Sequence, residues 1–286
     1  MPQYSASSEL ALIDAYPPAE FRGTKALKEA ITAKKRHLEE GSQYQYLSFR
    51  PVTLDDFARI KGRHRVEIAG RGTAFFYLGD IETLVLKLPT RVHEKAHATL
   101  GQRIQAQVFQ MGSIGFDEFM AINATAIKGR DDSEKEADSA WQNERLRTRK
   151  EDWPNVVIEA GLGESLPRLQ KEAKWWIEHS AGDVLVVLLV WVQQMSRTVK
   201  IEKWIPNAVR SLRRSSRLNL PPVSPMKAAD IVIDQSSAAG SVCHGAPLRL
   251  EFDRIFGRPA QNALEHDVVF TQDDLEDWAR LLWIAC

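Results

Sequence analysis

Nine consecutive apolar residues, Val184–Val192 (VLVVLLVWV), constrain the fold of this chain more than any other stretch. A strand with one face in water alternates polar and apolar side chains, whereas an unbroken apolar run belongs to a strand covered on both faces. A bilayer-spanning helix needs roughly 20 such residues, so the run predicts a buried strand and no membrane association. WPNVVIEAG precedes it, with a helix over 166–180 between, and RTVKIEKWIP follows. Strand and helix alternating around an apolar strand predict an α/β fold with a central mixed sheet and helices on both faces.

The flanking segments extend this plan. Lys, Ala and Glu favour a solvated helix from Thr24, ended by Gly41. Thr53 before Asp55 and Asp56 predicts a short capped helix. RHRVEIAG and GTAFFYLGDIETLVLKLP read as strands. A helix is expected over 91–111, with His97, Leu100, Ile104, Val108 and Met111 spaced at three and four along one face. IVIDQ, PLRLEFDRIFG and DVVFTQDD predict further strands. The acidic run Glu265–Asp277 then caps a terminal helix whose Trp278 and Trp283 turn inward. The expected parts are an N-terminal helical appendage (1–45), an α/β core (46–206), a basic proline-ended connector (207–227) and a C-terminal β-rich extension packed on the core (228–286).

The 38 basic residues balance 38 acidic ones, so any nucleic-acid-binding surface has to be local. Two cysteines, Cys243 and Cys286, make no disulfide framework. With no secretory signal pattern at the N-terminus, the expectation is an intracellular protein, nuclear or cytoplasmic. The absence of a P-loop, G-x-G-x-x-G, G-x-S-x-G or C-x-x-C removes the commonest nucleotide, dinucleotide, esterase and small zinc-module chemistries.

Glu159 is the most informative polar residue, because it follows Val156-Val157-Ile158 inside a strand that should be buried. A buried carboxylate must be paired, protonated or metal-bound, since an isolated charge there costs several kcal/mol or more. Asp138 heads the preceding strand, and Lys171 and Lys174 lie on the following helix. Two carboxylates from neighbouring strands suit a hard divalent cation such as Mg²⁺ or Mn²⁺, and a lysine can stabilise charge on a phosphate or hydroxide. The purely structural alternative pairs Glu159 with Lys171, Lys174 or Arg168 and leaves Asp138 capping a turn.

These residues resemble the PD-(D/E)XK, or restriction-endonuclease-like, nuclease superfamily. Ala137-Asp138 stands in the place of its Pro-Asp, and Glu159 in VVIEAG in the place of its second acid. Gly161 occupies the position of the usual lysine, which some branches supply from the next helix. Glu94 falls on the helix that often carries a further acid. Over about residues 75–205 the chain is also similar to a group of fungal proteins with a helix beginning HExxH, a KEADSA-like strand and a PxxVIEAGxxES segment. The resemblance implies a divalent-metal-dependent nuclease with Asp138 and Glu159 on the metal, assisted by Glu94 and by Lys171 or Lys174. A nucleic-acid- or protein-binding module on the same fold is the alternative.

Two further features remain. His93-Glu94-Lys95-Ala96-His97 is a literal H-E-x-x-H, the zinc-metalloprotease signature, which places both histidines on one helix face, where they could hold Zn²⁺ with Glu94 as general base and Glu118 as a third ligand. Because His93 and His97 extend the apolar stripe, they also read as packing residues. Arg197, Lys200, Lys203, Arg210, Arg213, Arg214 and Arg217 form a basic tract interrupted by one acid, Glu202. It reads as a phosphate-binding strip or as a solvated connector.

Overall fold

The computed structural model describes residues 17–122, 125–207, 223–237 and 240–284. The chain divides into two compact units, Met1–Thr90 with Thr125–Glu136, and Arg91–Ala124 with Ala137–Cys286. Both are α/β, with mixed sheets flanked by helices.

The first unit holds β1 (Ala19–Glu20), α1 (Thr24–Glu39), β2 (Tyr46–Arg50), α2 (Leu54–Lys61), α3 (Arg65–Ala69), β3 (Ala74–Leu78) and β4 (Thr83–Lys87). After the excursion of the chain through α4 (Arg91–Gln110) and β5 (Met120–Ala121), it also receives β6 (Ala126–Lys128) and β7 (Glu134–Glu136). Its sheet runs β1-β2-β4-β3-β7-β6. The Thr53 hydroxyl caps α2 by accepting the Asp56 N–H. Leu27 and Ile31 of α1 are buried in one cluster with Phe57, Phe75 and Tyr77, so the N-terminal helix is part of this unit's core.

RHRVEIAG, read as a strand, contains the helix α3. Strand preference measures packing on a pleated, half-buried surface, and Val66 is 56% exposed with no partner face. Arg65 instead forms a forked pair with Glu136, at 2.5 and 2.6 Å, and lies over the Phe75 ring.

The second unit contains α4, β5, β8 (Ser139–Gln142), β9 (Val156–Leu162), α5 (Leu166–His179), β10 (Val186–Gln193), β11 (Thr198–Pro206), β12 (Pro225–Asp234), β13 (Val242–His244), β14 (Leu248–Leu250), α6 (Phe252–Phe256), β15 (Val268–Phe270) and α7 (Gln272–Leu282). Its seven-stranded sheet runs β13-β12-β11-β10-β9-β8-β5, so the apolar run becomes the central strand β10. β9 and β10 are parallel and joined through α5, while β8–β9, β10–β11 and β11–β12 are antiparallel. β12 shows that the C-terminal extension is built into this sheet. PLRLEFDRIFG is strand only in β14, since α6 follows at once.

Strand alternation sorts the two faces. Val156, Ile158, Ala160 and Leu162 of β9 share a cluster with Val92, Ala96, Leu100 and Ile104 of α4 and with Trp278 of α7. On the opposite face, Gly161 lies against Ser165 and Leu169 at the start of α5. Helix α4 approaches β8 closely because residue 101 is glycine: a Cβ there would stand 2.4 Å from Cη2 of Trp141.

This contact makes a signed prediction. Alanine is the better helix former by about 1 kcal/mol, yet overpacking a tight contact costs about 1–3 kcal/mol. Gly101→Ala should lower the urea-unfolding free energy relative to wild type, whereas Gln102→Ala on the exposed face changes it little. A stabilised Gly101→Ala would contradict the close approach.

Candidate functional site

The β8–β9 ladder pairs Ser139 with Ile158 and ends there. The next inward-facing donor, the N–H of Ala160, is taken up by Asp138 Oδ2 at 2.7 Å. The same oxygen lies 3.0 Å from Nε2 of His93 in the first turn of α4, and both side chains are buried. Asp138 thus ends the ladder and ties the head of β8 to α4.

Helical spacing then gathers a cluster. His93 Nδ1 lies 3.2 Å from Glu94 Oε1, and His97 Nε2 lies 3.5 Å from Glu94 Oε2. His97 Nδ1 lies 2.8 Å from the hydroxyl of Ser139 on β8. The two rings are 4.9 Å apart. Both histidines are buried while the Glu94 side chain is 50% exposed. Hydrogen bonding to His93 and His97 holds the Glu94 carboxyl down at about 2. Among the described residues, His93, Glu94 and His97 can each offer one donor atom within 4.8 Å of the others. The reading of these histidines as packing residues captures their burial but not this convergence.

Glu159 is fully buried. Its Oε1 accepts the indole N–H of Trp176 on α5 at 2.7 Å. The Asp138 and Glu159 carboxylates therefore bond to groups from helices on opposite faces of the sheet, with the Ala160 N–H between them in sequence. Gly161, where the resemblance expects lysine, has no room for a side chain: a Cβ would stand 2.3 Å from Ser165 Oγ and 3.0 Å from Leu169 Cδ1. Lys171 and Lys174 stand one helical turn or two from Glu178, whose carboxyl is raised by burial against the opposing pull of Lys174 and Lys171. Lys174 Nζ also lies 6.0 Å from the Trp204 ring centre. Arg168 is buried, which lowers its guanidinium to about 10 against the opposing charge of Glu172.

Other expected ligands are committed elsewhere. Glu118, the third ligand considered for zinc, accepts from Arg145 at 2.9 Å and Arg258 at 2.8 Å, and it is not in the histidine cluster. In the basic tract, Lys200 pairs with Glu202 and Asp230. Lys203 points to the other face of β11, where it bonds the Arg249 carbonyl and Glu251. These two lysines do not form one strip. Arg197 is exposed at the β10–β11 turn; Arg210, Arg213, Arg214 and Arg217 lie outside the described residues.

Glu202, read only as an interruption of that tract, is fully buried and accepts from Gln170, Trp204, Lys200 and Lys227. Its place in TVKIEKWIP, a strand alternating around Ile201, was the available signal.

The Trp176–Glu159 contact is testable by a double-mutant cycle on unfolding free energy. Trp176→Phe keeps an aromatic ring but removes the donor to a buried carboxylate, a loss of about 1–3 kcal/mol. The loss should shrink in the Glu159→Gln background, with a coupling of about 0.5–3 kcal/mol. Additive effects would contradict the bond.

No family profile matches the chain, and no curated protein matches it. Among solved structures it is similar to a candidate nuclease of the DUF820 group from Anabaena variabilis ATCC 29413, at 12% identity and a TM-score of 0.40, covering 80% of this chain and 99% of that one. So loose a superposition carries no argument, and the architecture stands on the chain's own strand order and contacts.

Proposed function

We propose that the chain is a nuclease-like protein on a restriction-endonuclease-like core, hydrolysing phosphodiester bonds of nucleic acid with a divalent cation. The reaction centre lies at the head of β8 beside the first turns of α4. The observation that supports this best is the buried Asp138 carboxylate, set against His93 and next in space to the backbone of the strand that carries Glu159. The order of parts also agrees: an acid on the helix before the sheet, one at the head of a strand, one inside the next strand, then a helix.

An oxygen-only Mg²⁺ site on Asp138 and Glu159 does not fit the chain as folded. Mg²⁺ keeps several waters, while these side chains are 2% exposed and fully buried respectively. Each already has an oxygen engaged. The carboxylate that reaches solvent is Glu94. A divalent cation there would activate water and polarise a phosphoryl oxygen. The chain itself contributes Asp138 and Ser139, which orient the two imidazoles, and an apolar floor from α4 and β9.

A second reading has a specific observation behind it. Gly161 cannot accommodate the usual lysine. A nucleic-acid-binding module without chemistry is consistent with that arrangement. The two are separated by assaying plasmid and single-stranded substrates with Mg²⁺, Mn²⁺ and Zn²⁺. The hydrolase reading expects cation-dependent cleavage, abolished by Glu94→Gln and reduced roughly 10–100-fold by Asp138→Asn through loss of positioning. Nucleic-acid binding without cleavage under every cation would favour the module.

A further inference from the structure

We propose that His93 Nδ1, His97 Nε2 and the Glu94 carboxylate form a three-donor site for a borderline divalent transition metal such as Zn²⁺, with Asp138 and Ser139 as its positioning partners. The inference rests on the same cluster as the hydrolase reading, but not on any reaction there.

The convergence of two buried imidazoles on one half-exposed carboxylate leads to it. His93 has a carboxylate oxygen against each ring nitrogen: Asp138 Oδ2 at 3.0 Å from Nε2 and Glu94 Oε1 at 3.2 Å from Nδ1. A neutral imidazole donates from one nitrogen only, so the two contacts are met either by a proton on each nitrogen or by a cation standing between ring and carboxylate. With a cation bound, the Nε2 proton would be left on the Asp138 side and the Nδ1 lone pair would take the ion beside Glu94. In His97, Nδ1–H can be given to Ser139 Oγ at 2.8 Å, which would leave Nε2, 3.5 Å from Glu94, to take the ion.

The geometry suits a small cation. Two donors each about 2.1 Å from one ion in a tetrahedral shell stand about 3.4 Å apart. The observed nitrogen-to-oxygen separations are 3.2 Å to Oε1 and 3.5 Å to Oε2, and one donor atom from each of the three residues lies within 4.8 Å of the others. Metal-bound histidines characteristically give their other N–H to a carboxylate or hydroxyl that fixes the tautomer, which is the place Asp138 and Ser139 occupy. Two imidazoles and one carboxylate favour zinc and its first-row neighbours over Mg²⁺. The half-exposed Glu94 leaves the remaining coordination positions on the solvent side. In the protease version of H-E-x-x-H, the glutamate stays off the metal as a general base; here it lies between the rings.

The test is zinc affinity of the full chain by competition with a chromophoric chelator, together with the visible absorption of bound Co²⁺. One equivalent should bind, with Mg²⁺ in excess failing to displace it. Glu94→Ala, at a half-exposed position, should weaken binding by at least about 100-fold, and Asp138→Asn by about 10–100-fold. His97→Ala gives the third arm, with circular dichroism confirming the fold. Absence of zinc binding by the wild type, or undiminished binding by Glu94→Ala, would overturn the assignment. Zinc binding without nucleic-acid cleavage would keep this site and remove the hydrolase reading; cleavage without zinc binding would do the reverse.

Discussion

The N–H of Ala160 needs an acceptor at the point where β8 stops pairing with β9, and Asp138 supplies it. A buried amide without a partner costs about 1–3 kcal/mol, so the carboxylate is held where the ladder ends. That fixes the head of β8 relative to β9, and the same oxygen meets His93 on α4. The helical spacing of four then brings His97 alongside, and Glu94 between the two rings reaches towards solvent. A single backbone requirement in the sheet thus positions the whole cluster.

The opposite face of β9 obeys a different constraint. Helix α5 lies so close to the strand that Gly161 has no space for a Cβ, and Glu159 is enclosed with Trp176 as its donor. This close packing leaves no room at position 161 for the lysine that the resemblance expects: a side chain there would meet Ser165 and Leu169. The result is a sheet with one polar cluster opening beside α4 and a closely packed face under α5 that encloses Glu159. The proposed metal site and the enclosed Glu159 carboxylate thereby lie on the two sides of one strand.

Much of the fold was legible in the sequence because period and burial agree there. The unbroken run around Leu188 is the central strand, and the stripe Leu100, Ile104, Val108 is the buried face of α4. Where tertiary pairing decides, the reading failed. Val66 and Ile68 suggested a strand but lie in α3, whose Arg65 is held by Glu136 from a distant segment. The first unit closes only when β6 and β7 return to its sheet, a long-range event that no local pattern announces. At the site, Glu159, Asp138 and the histidine pair were recognisable as unusual. Which of them face one another depends on the end of the β8–β9 ladder, and that requires the register. The buried Glu202 was overlooked because its neighbours Lys200 and Lys203 looked like a solvated basic run, although the two lysines occupy opposite faces of β11.

The most direct test of the account is the anomalous scattering of zinc-soaked crystals of the full chain. The account predicts one ion about 2.0–2.2 Å from His93 Nδ1, His97 Nε2 and a Glu94 oxygen, with Asp138 still accepting the Ala160 N–H. An ion held instead between the Asp138 and Glu159 carboxylates would contradict it.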